Sequence, residues 1–432
     1  MVYLPGETLE LTAEDVANGG WCVARPPGSP VVFVRHALPG ERVVARVTEV
    51  TSKFARAEAI RILSASPDRV DPPCPHARPG GCGGCDWQHA TLAAQRALKA
   101  AVIGQQLRRL AGVDRAVTVE ALPGDGAATA AGLGWRTRVQ FAVRDDGVAG
   151  LRAHRSHQVI GIDDCLIAHP AVSGLAVTRR RWPGVASVEA LAGAGQGERS
   201  LIITPARKRD ARAGATDRSV SIEEVTAESV VRRAGHRLTP VRGRSYLSQR
   251  AAGREWRVSA GAFWQVHPAA ADALAAAVLA ALRPVAGDAA LDLYCGAGLF
   301  AGVLAPAVGP DGTVTGVESE AAAVRDARHN LREWPWVRVR RGDAAAVLRR
   351  GGLPAARIAV ADPPRSGLAR EVVEYLSSPP AERFAYVSCD PATLARDIGL
   401  LLARGWTLAG LRAFDAFPMT HHVECVATLV RP

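Results

Sequence analysis

Phe384–Val387 is a short apolar run with aromatic and β-branched residues; it ends at Ser388-Cys389, and Asp390-Pro391 follow. The run reads as a buried strand, and an aspartate then a proline read as the N-cap and first turn of a helix through Leu394 and Ile398. Cys389 therefore stands where a strand stops and a helix starts. A free thiol has a pKa of about 8.5, so only a few per cent is nucleophilic thiolate at neutral pH. The positive end of a helix dipole favours the thiolate, while the neighbouring Asp390 opposes it. Taken alone, such a cysteine reads as a buried apolar residue more readily than as a nucleophile.

The rest of the C-terminal half reverses that balance. After Gly261 the chain alternates strand and helix patterns. Ala289–Tyr294 leads into Cys295-Gly296-Ala297-Gly298; Val314–Val317 ends at Glu318; Val337–Val339 leads to Asp343; Ile358–Ala361 ends at Asp362-Pro363-Pro364-Arg365. This is the pattern of a doubly wound parallel sheet, whose ligands bind outside the carboxyl ends of its strands. Tyr294, Glu318, Asp343, Asp362 and Cys389 all fall at or just past such ends. Each has a plain structural explanation alone, as a turn or helix cap; their joint placement does not. Gly296 and Gly298, with an acid twenty residues further on, fit a nucleotide-binding loop, which suits a dinucleotide or the nucleoside of S-adenosylmethionine. The Asp-Pro-Pro-Arg segment and the cysteine have no evident use in hydride transfer and favour methyl transfer.

A second constellation lies upstream. Cys74, Cys82 and Cys85 form a C-x7-C-x2-C cluster set among glycines. Three cysteines so close suit a tetrahedral thiolate centre, holding zinc or an iron–sulfur cluster, with a fourth ligand from elsewhere. Cys165 is the candidate, with His76 and His89 as rivals.

The 432 residues suggest about three domains. Residues 1–65 read as about five short strands, among them Glu7–Leu11, Val31–Val34, Arg42–Val50 and Phe54–Leu63, hence a small barrel of the oligonucleotide-binding sort. Residues 66–255 form a central α+β unit carrying the cysteines, with a helical pattern over 91–111 that could pack on the last unit. Residues 256–432 form the α/β domain. The net charge of +11 is concentrated in the middle unit, which holds 28 basic and 18 acidic side chains, including Arg179-Arg180-Arg181 and Arg207-Lys208-Arg209. Such a surplus is the footprint of a polyanion partner. No apolar run spans a membrane, the N-terminus has no basic-then-apolar leader, and eight cysteines in so long a chain do not suggest a disulfide scaffold, so a soluble, cytoplasmic protein is expected.

Five segments in order, Phe263-Trp264-Gln265, Asp292–Gly298, Asp362–Arg365, Ser388–Thr393 and Asp415–Glu424, resemble the RNA (uracil-5-)-methyltransferase family. The N-terminal strands are similar to a TRAM domain, and the cysteines resemble the [4Fe–4S] site of the ribosomal-RNA members. The chain departs from the family pattern at His267 and Asp390, where asparagine is usual, at Leu299, and in a first cysteine spacing two residues longer than common. The resemblance implies a Rossmann-like methyltransferase domain, S-adenosylmethionine as cofactor, Cys389 as nucleophile and Glu424 as base. It also implies that Gln265, Tyr294, Glu318, Asp343 and Asp362 line the cofactor and substrate pocket, and that Cys74, Cys82, Cys85 and Cys165 hold the cluster.

The expectation is methylation of uridine C5 in RNA by a monomer, ribosomal RNA before tRNA. The alternatives are a nicotinamide-dependent oxidoreductase using the glycine loop and a non-catalytic iron–sulfur RNA-binding protein.

Overall fold

The computed structural model describes residues 3–124, 127–195, 197–206, 225–351, 353–378 and 381–431. Arg207-Lys208-Arg209 lies outside the described residues.

The N-terminal strands form one curled sheet of six rather than five, because Asp15–Ala17 and Trp21–Ala24 pair across Asn18-Gly19-Gly20. Along Arg42–Val50 the alternation holds: Val43, Ala45 and Val47 point inward with Val32, Val34, Ala55 and Ala57. The central unit is a seven-stranded sheet running from Val159–Gly161 at one edge to Arg237–Arg242 at the other. Phe141, Trp182, Val188, Leu201 and Val230 form its core. The hairpin of Tyr246–Ala251 and Arg254–Ser259 joins this unit to the last: Trp256 is buried in the C-terminal core, and Asn330 exchanges hydrogen bonds with the Arg257 backbone.

The C-terminal sheet has eight strands in the spatial order Val337–Arg341, Thr313–Glu318, Ala289–Leu293, Ile358–Ala361, Arg383–Ser388, Glu424–Val430, Thr407–Asp415 and Val119–Ala121. The first five are parallel, and the order reverses between Ala289–Leu293 and Ile358–Ala361, which makes the crevice above that boundary the expected ligand site. Purely parallel pairing does not continue, because Glu424–Val430 runs antiparallel to both its neighbours. The last strand comes from the N-terminal half: Val119 pairs with Ala413.

The helical pattern over 91–111 resolves into an α-helix, Leu92–Gln106, and a π-helical turn, Leu107–Ala111. Thr91 caps it, accepting the Ala94 N–H at 3.2 Å. Ile103 and Leu107 enter the same core as Leu394, Ile398 and Leu401 of the helix Pro391–Leu402. Leu110, within that pattern, is exposed, since the π turn rotates the face away.

Candidate active site

A cleft of about 900 Å³ opens at the carboxyl edge of the sheet, and Gln265, Tyr294, Gly296 and Glu318 line it together with Asp343, Asp362, Cys389 and Glu424. Gly298 stands behind it: its φ of 96° is a conformation for glycine, and it starts the helix Leu299–Val308. A Cβ on Gly296 would meet nothing, so the loop faces open space. Tyr294 has a φ of 64°, unusual for an aromatic residue and an expression of strain at the strand end. Burial pushes its phenol up to about 12, so it is a neutral group.

The acids are held differently. Glu318 accepts the Gly296 N–H at 3.0 Å and the Glu320 N–H at 2.7 Å, tying the glycine loop to the next strand. Asp343 caps the helix Ala344–Arg349 through the Ala346 N–H at 2.9 Å and also borders the cleft. Asp362 and Glu424 are both raised by burial, and for Glu424 the charge of Asp362 adds to it while Arg365 opposes. Burial thus disfavours the charged form of both carboxyls.

At Cys389 burial dominates. Its thiol is pushed up to about 11 by burial, with Glu424, Asp362 and Asp390 adding and the Arg365 guanidinium alone opposing. Asp390 spends its carboxylate on the Ala392 and Thr393 N–H groups, at 3.0 and 2.9 Å, so the helix end is already neutralised. Ser388 pairs with Cys425 in the antiparallel ladder, so the next pair in that register sets Cys389 opposite Glu424.

Several cleft residues had no assigned role. Phe263 is 63 % exposed beside Trp264. The guanidinium of Arg365 lies 3.2 Å from His422 Nε2; burial, then His421 and Arg365, hold His422 down at about 3. Trp135, far away in sequence, stacks on His267 and meets Phe417 edge-on. The only sequence sign of this was an aromatic beside arginines. His421 does not line the cleft: its Nδ1 is 2.6 Å from Asp86. Burial opposes ionisation of Asp86, but the His421 contacts and Arg35 hold it at about 2.

The cysteines gather as well. Cys74, Cys82, Cys85 and Cys165 line one pocket of about 240 Å³, with His76 at its edge, whereas His89 turns toward the Ala37 carbonyl at 3.4 Å. Gln88 accepts the Cys74 N–H at 3.0 Å and donates to Cys85 Sγ at 3.2 Å; the Gly84 N–H points at Cys82 Sγ at 3.3 Å. Among the described residues no three His, Cys, Asp or Glu side chains converge as ligands of a single metal ion.

A Rossmann-like sheet with this cleft at its switch point, joined to an N-terminal sheet, is the architecture of a Rossmann-like methyltransferase. Residues 4–60 match the TRAM domain family, 355–432 match the tRNA (Uracil-5-)-methyltransferase family, and 257–346 match the protein-L-isoaspartate(D-aspartate) O-methyltransferase family. An RNA methyltransferase of Streptomyces coelicolor is 50 % identical over 99 % of this chain and 94 % of its own. The 23S rRNA (uracil(1939)-C(5))-methyltransferase of Halomonas elongata is 34 % identical, covering 98 % and 89 %. The Pyrococcus abyssi tRNA (uracil-54, C5)-methyltransferase shares the fold, with a TM-score of 0.69 over 98 % of this chain and all of the other, at 21 % identity. The chain belongs to the RNA (uracil-5-)-methyltransferase family and is a transferase. Hydride transfer and a purely binding role fall away with that membership. No helix among the described residues is long and apolar enough to cross a membrane.

Proposed function

We propose that this enzyme methylates C5 of a uridine in ribosomal RNA, with Cys389 as nucleophile and Glu424 as base. The observation that carries the reading is the antiparallel register that faces Cys389 with Glu424 inside the cleft. C5 of uracil is a poor nucleophile, and addition of a thiolate at C6 turns it into an enolate whose C5 can attack an electrophile. S-adenosylmethionine, when bound, supplies an electrophilic methyl group. The open glycine loop at Gly296, with Gln265, Tyr294, Glu318, Asp343 and Asp362, fits a nucleoside-bearing cofactor beside the target base. Once C5 carries its methyl group, Glu424 takes the C5 proton and the Cys389 sulfur leaves. A uridine in folded RNA must be unstacked to enter so deep a cleft. Ribosomal RNA is preferred over tRNA because the barrel and the cysteine set go together and a 34 % identical relative carries a 23S rRNA name.

The four cysteines would hold a [4Fe–4S] cluster. They share one pocket, and two of the sulfurs accept hydrogen bonds, as cluster thiolates do. Its role is structural, since the transfer needs no electrons.

The test is transfer of labelled methyl to purified ribosomal RNA and tRNA, with 5-fluorouridine RNA to trap the adduct. Label at uridine C5 of ribosomal RNA with a Cys389 adduct is expected. Label on tRNA alone overturns the substrate, and absence of an adduct overturns the covalent route.

A further inference from the structure

A second hollow opens directly off the catalytic cleft. It has a volume of about 460 Å³, and Gly83, Gly84 and Arg136 line both spaces. Beyond them its wall is the turn from Arg152 to His157. Arg152, Arg155 and His157 are exposed. No carboxylate lines this hollow, and among the described residues none lies within ion-pair distance of Arg136 or Arg152. Arg155 has only Glu49 at 4.0 Å, and Glu49 is already held by Arg56 at 2.6 Å.

The trough is built rather than incidental. The Gly83 N–H donates to the Arg152 carbonyl at 2.9 Å, and Cys82 bridges Ala153, so the cysteine loop is stitched to the basic turn. A Cβ on Gly83 would come within 2.6 Å of the His154 backbone, so only glycine lets the two segments approach this closely. The N-terminal sheet closes the far side, with Trp21 edge-on to His154 at 5.5 Å. Three parts of the chain thus meet around one strip of unneutralised guanidinium groups leading into the cleft.

We infer that the strand carrying the target uridine runs out of the cleft over Gly83-Gly84 and along this trough, with Arg152 and Arg155 each on a phosphate. The inference rests on the RNA methyltransferase reading and adds where the unpaired strand lies beside the extruded nucleotide. Guanidinium groups hold phosphates bidentately and without regard to sequence, so the trough positions the strand while the cleft selects the base.

The test uses the full chain with Arg152→Gln and Arg155→Gln combined, and the matching Arg→Lys pair as the charge-keeping variant. Methyl transfer is measured against RNA concentration at several salt concentrations, with a long RNA and with an oligonucleotide only a few nucleotides around the uridine. For the long RNA the Gln pair should raise KM about tenfold and flatten the salt slope by about 1.4, two contacts at about 0.7 each for a single strand. The value of kcat and the KM for the short oligonucleotide should stay at wild-type level, and the Lys pair should recover most of the loss. An unchanged KM and salt slope in the Gln pair, while wild type methylates RNA normally, overturns the trough and leaves the enzymatic reading intact. A Gln pair that loses activity equally on both RNAs also overturns it. Wild-type protein that transfers no methyl to RNA overturns the reading beneath it.

Discussion

Lys99 and Asp415 form an ion pair whose side chains are 0 % and 2 % exposed, with Nζ 2.5 Å from Oδ1 and 3.0 Å from the Phe417 carbonyl. Lys99 belongs to the helix from the N-terminal half; Asp415 ends a strand and opens the loop that puts Phe417, Thr420 and His422 on the cleft wall. At an effective dielectric of about 20, two charges 2.5 Å apart attract by about 7 kcal/mol. Burial opposes this strongly enough that the Lys99 ammonium is still held below its usual range despite Asp415. The intact pair is therefore close to break-even, and removing one partner is what costs. Lys99→Met strands a buried carboxylate and should lose about 3–5 kcal/mol of unfolding free energy, a large share of an ordinary domain's stability. In Lys99→Met with Asp415→Leu no carboxylate is stranded, and the Phe417 carbonyl still accepts the Thr420 N–H at 3.2 Å and the Thr420 hydroxyl at 2.9 Å, so the double variant should be more stable than either single one.

Urea unfolding of the four proteins in this cycle measures the coupling directly. Methyl transfer at a temperature where all stay folded reads the loop, which Gln95 also grips by accepting the Met419 N–H at 2.8 Å. In Lys99→Met a displaced loop should cost at least tenfold in kcat, since shifts of about 1 Å in a positioned group cost up to about a hundredfold. Single losses below about 1 kcal/mol that simply add in the double variant would refute the reasoning.

Cys389→Ala should give neither adduct nor methylation, whereas Glu424→Gln should accumulate a covalent RNA species visible on a denaturing gel; normal turnover of Glu424→Gln would shift the base role to His422, since His421 is engaged by Asp86. Alkylation of the Cys389 peptide should be slow at neutral pH and climb toward a midpoint of about 11, and Arg365→Ala should slow it further by removing the opposing cation; a midpoint near 8.5 contradicts the burial. Burial and the Asp362 charge favour the protonated form of Glu424, so more of the deprotonated base is present as pH rises and the methyl-transfer rate should increase with pH; a rate that does not rise with pH would count against it as base. Protein purified without oxygen should be brown and contain iron and sulfide, and Cys85→Ser should reduce folding and RNA affinity; stoichiometric zinc without iron overturns the cluster. Neutralising Arg179, Arg180 and Arg181 should weaken RNA binding and its salt dependence without changing cofactor affinity, with Arg181 contributing least because Asp146 lies 3.7 Å from it.

The parallel strands were legible because each is a compact apolar run closed by turn or cap residues, as at Ile358–Ala361 before Asp362 and Arg383–Ser388 before Asp390. Their ends then placed Tyr294, Glu318, Asp343, Asp362 and Cys389 at the edge where the cleft lies. What could not be read were features that exist only through a distant partner. Val119–Ala121 is three residues long with one buried valine, and it is a strand solely because Thr407–Asp415 offers an edge. A lysine in an amphipathic helix reads as solvent-facing, so Lys99 gave no sign of an acid over three hundred residues away. At Cys389 the lowering influence comes from the Arg365 guanidinium, burial outweighs it, and Asp390 already occupies the helix end.

Strand direction is the feature that composition encodes least, and here the proposed chemistry depends on it. Parallel strands can bring to the cleft only the residues that follow their carboxyl ends, which is how Tyr294, Asp362 and Cys389 arrive. Glu424 reaches the same edge because it is the first residue of an antiparallel strand. Six consecutive pairs, from Arg383 with Val430 to Ser388 with Cys425, fix that register. A slip of one residue would turn Glu424 away and present the buried Cys425 instead. The slip is opposed on both sides: Val426 packs in one core of the sheet and Cys425, Ala427 and Leu429 in the other. The loop from 416 to 423 is pinned in addition by Lys99, Gln95 and Asp86, all from the N-terminal half. The placement of Glu424 is therefore a property of the whole chain, which is why contacts far from the cleft should register in kcat.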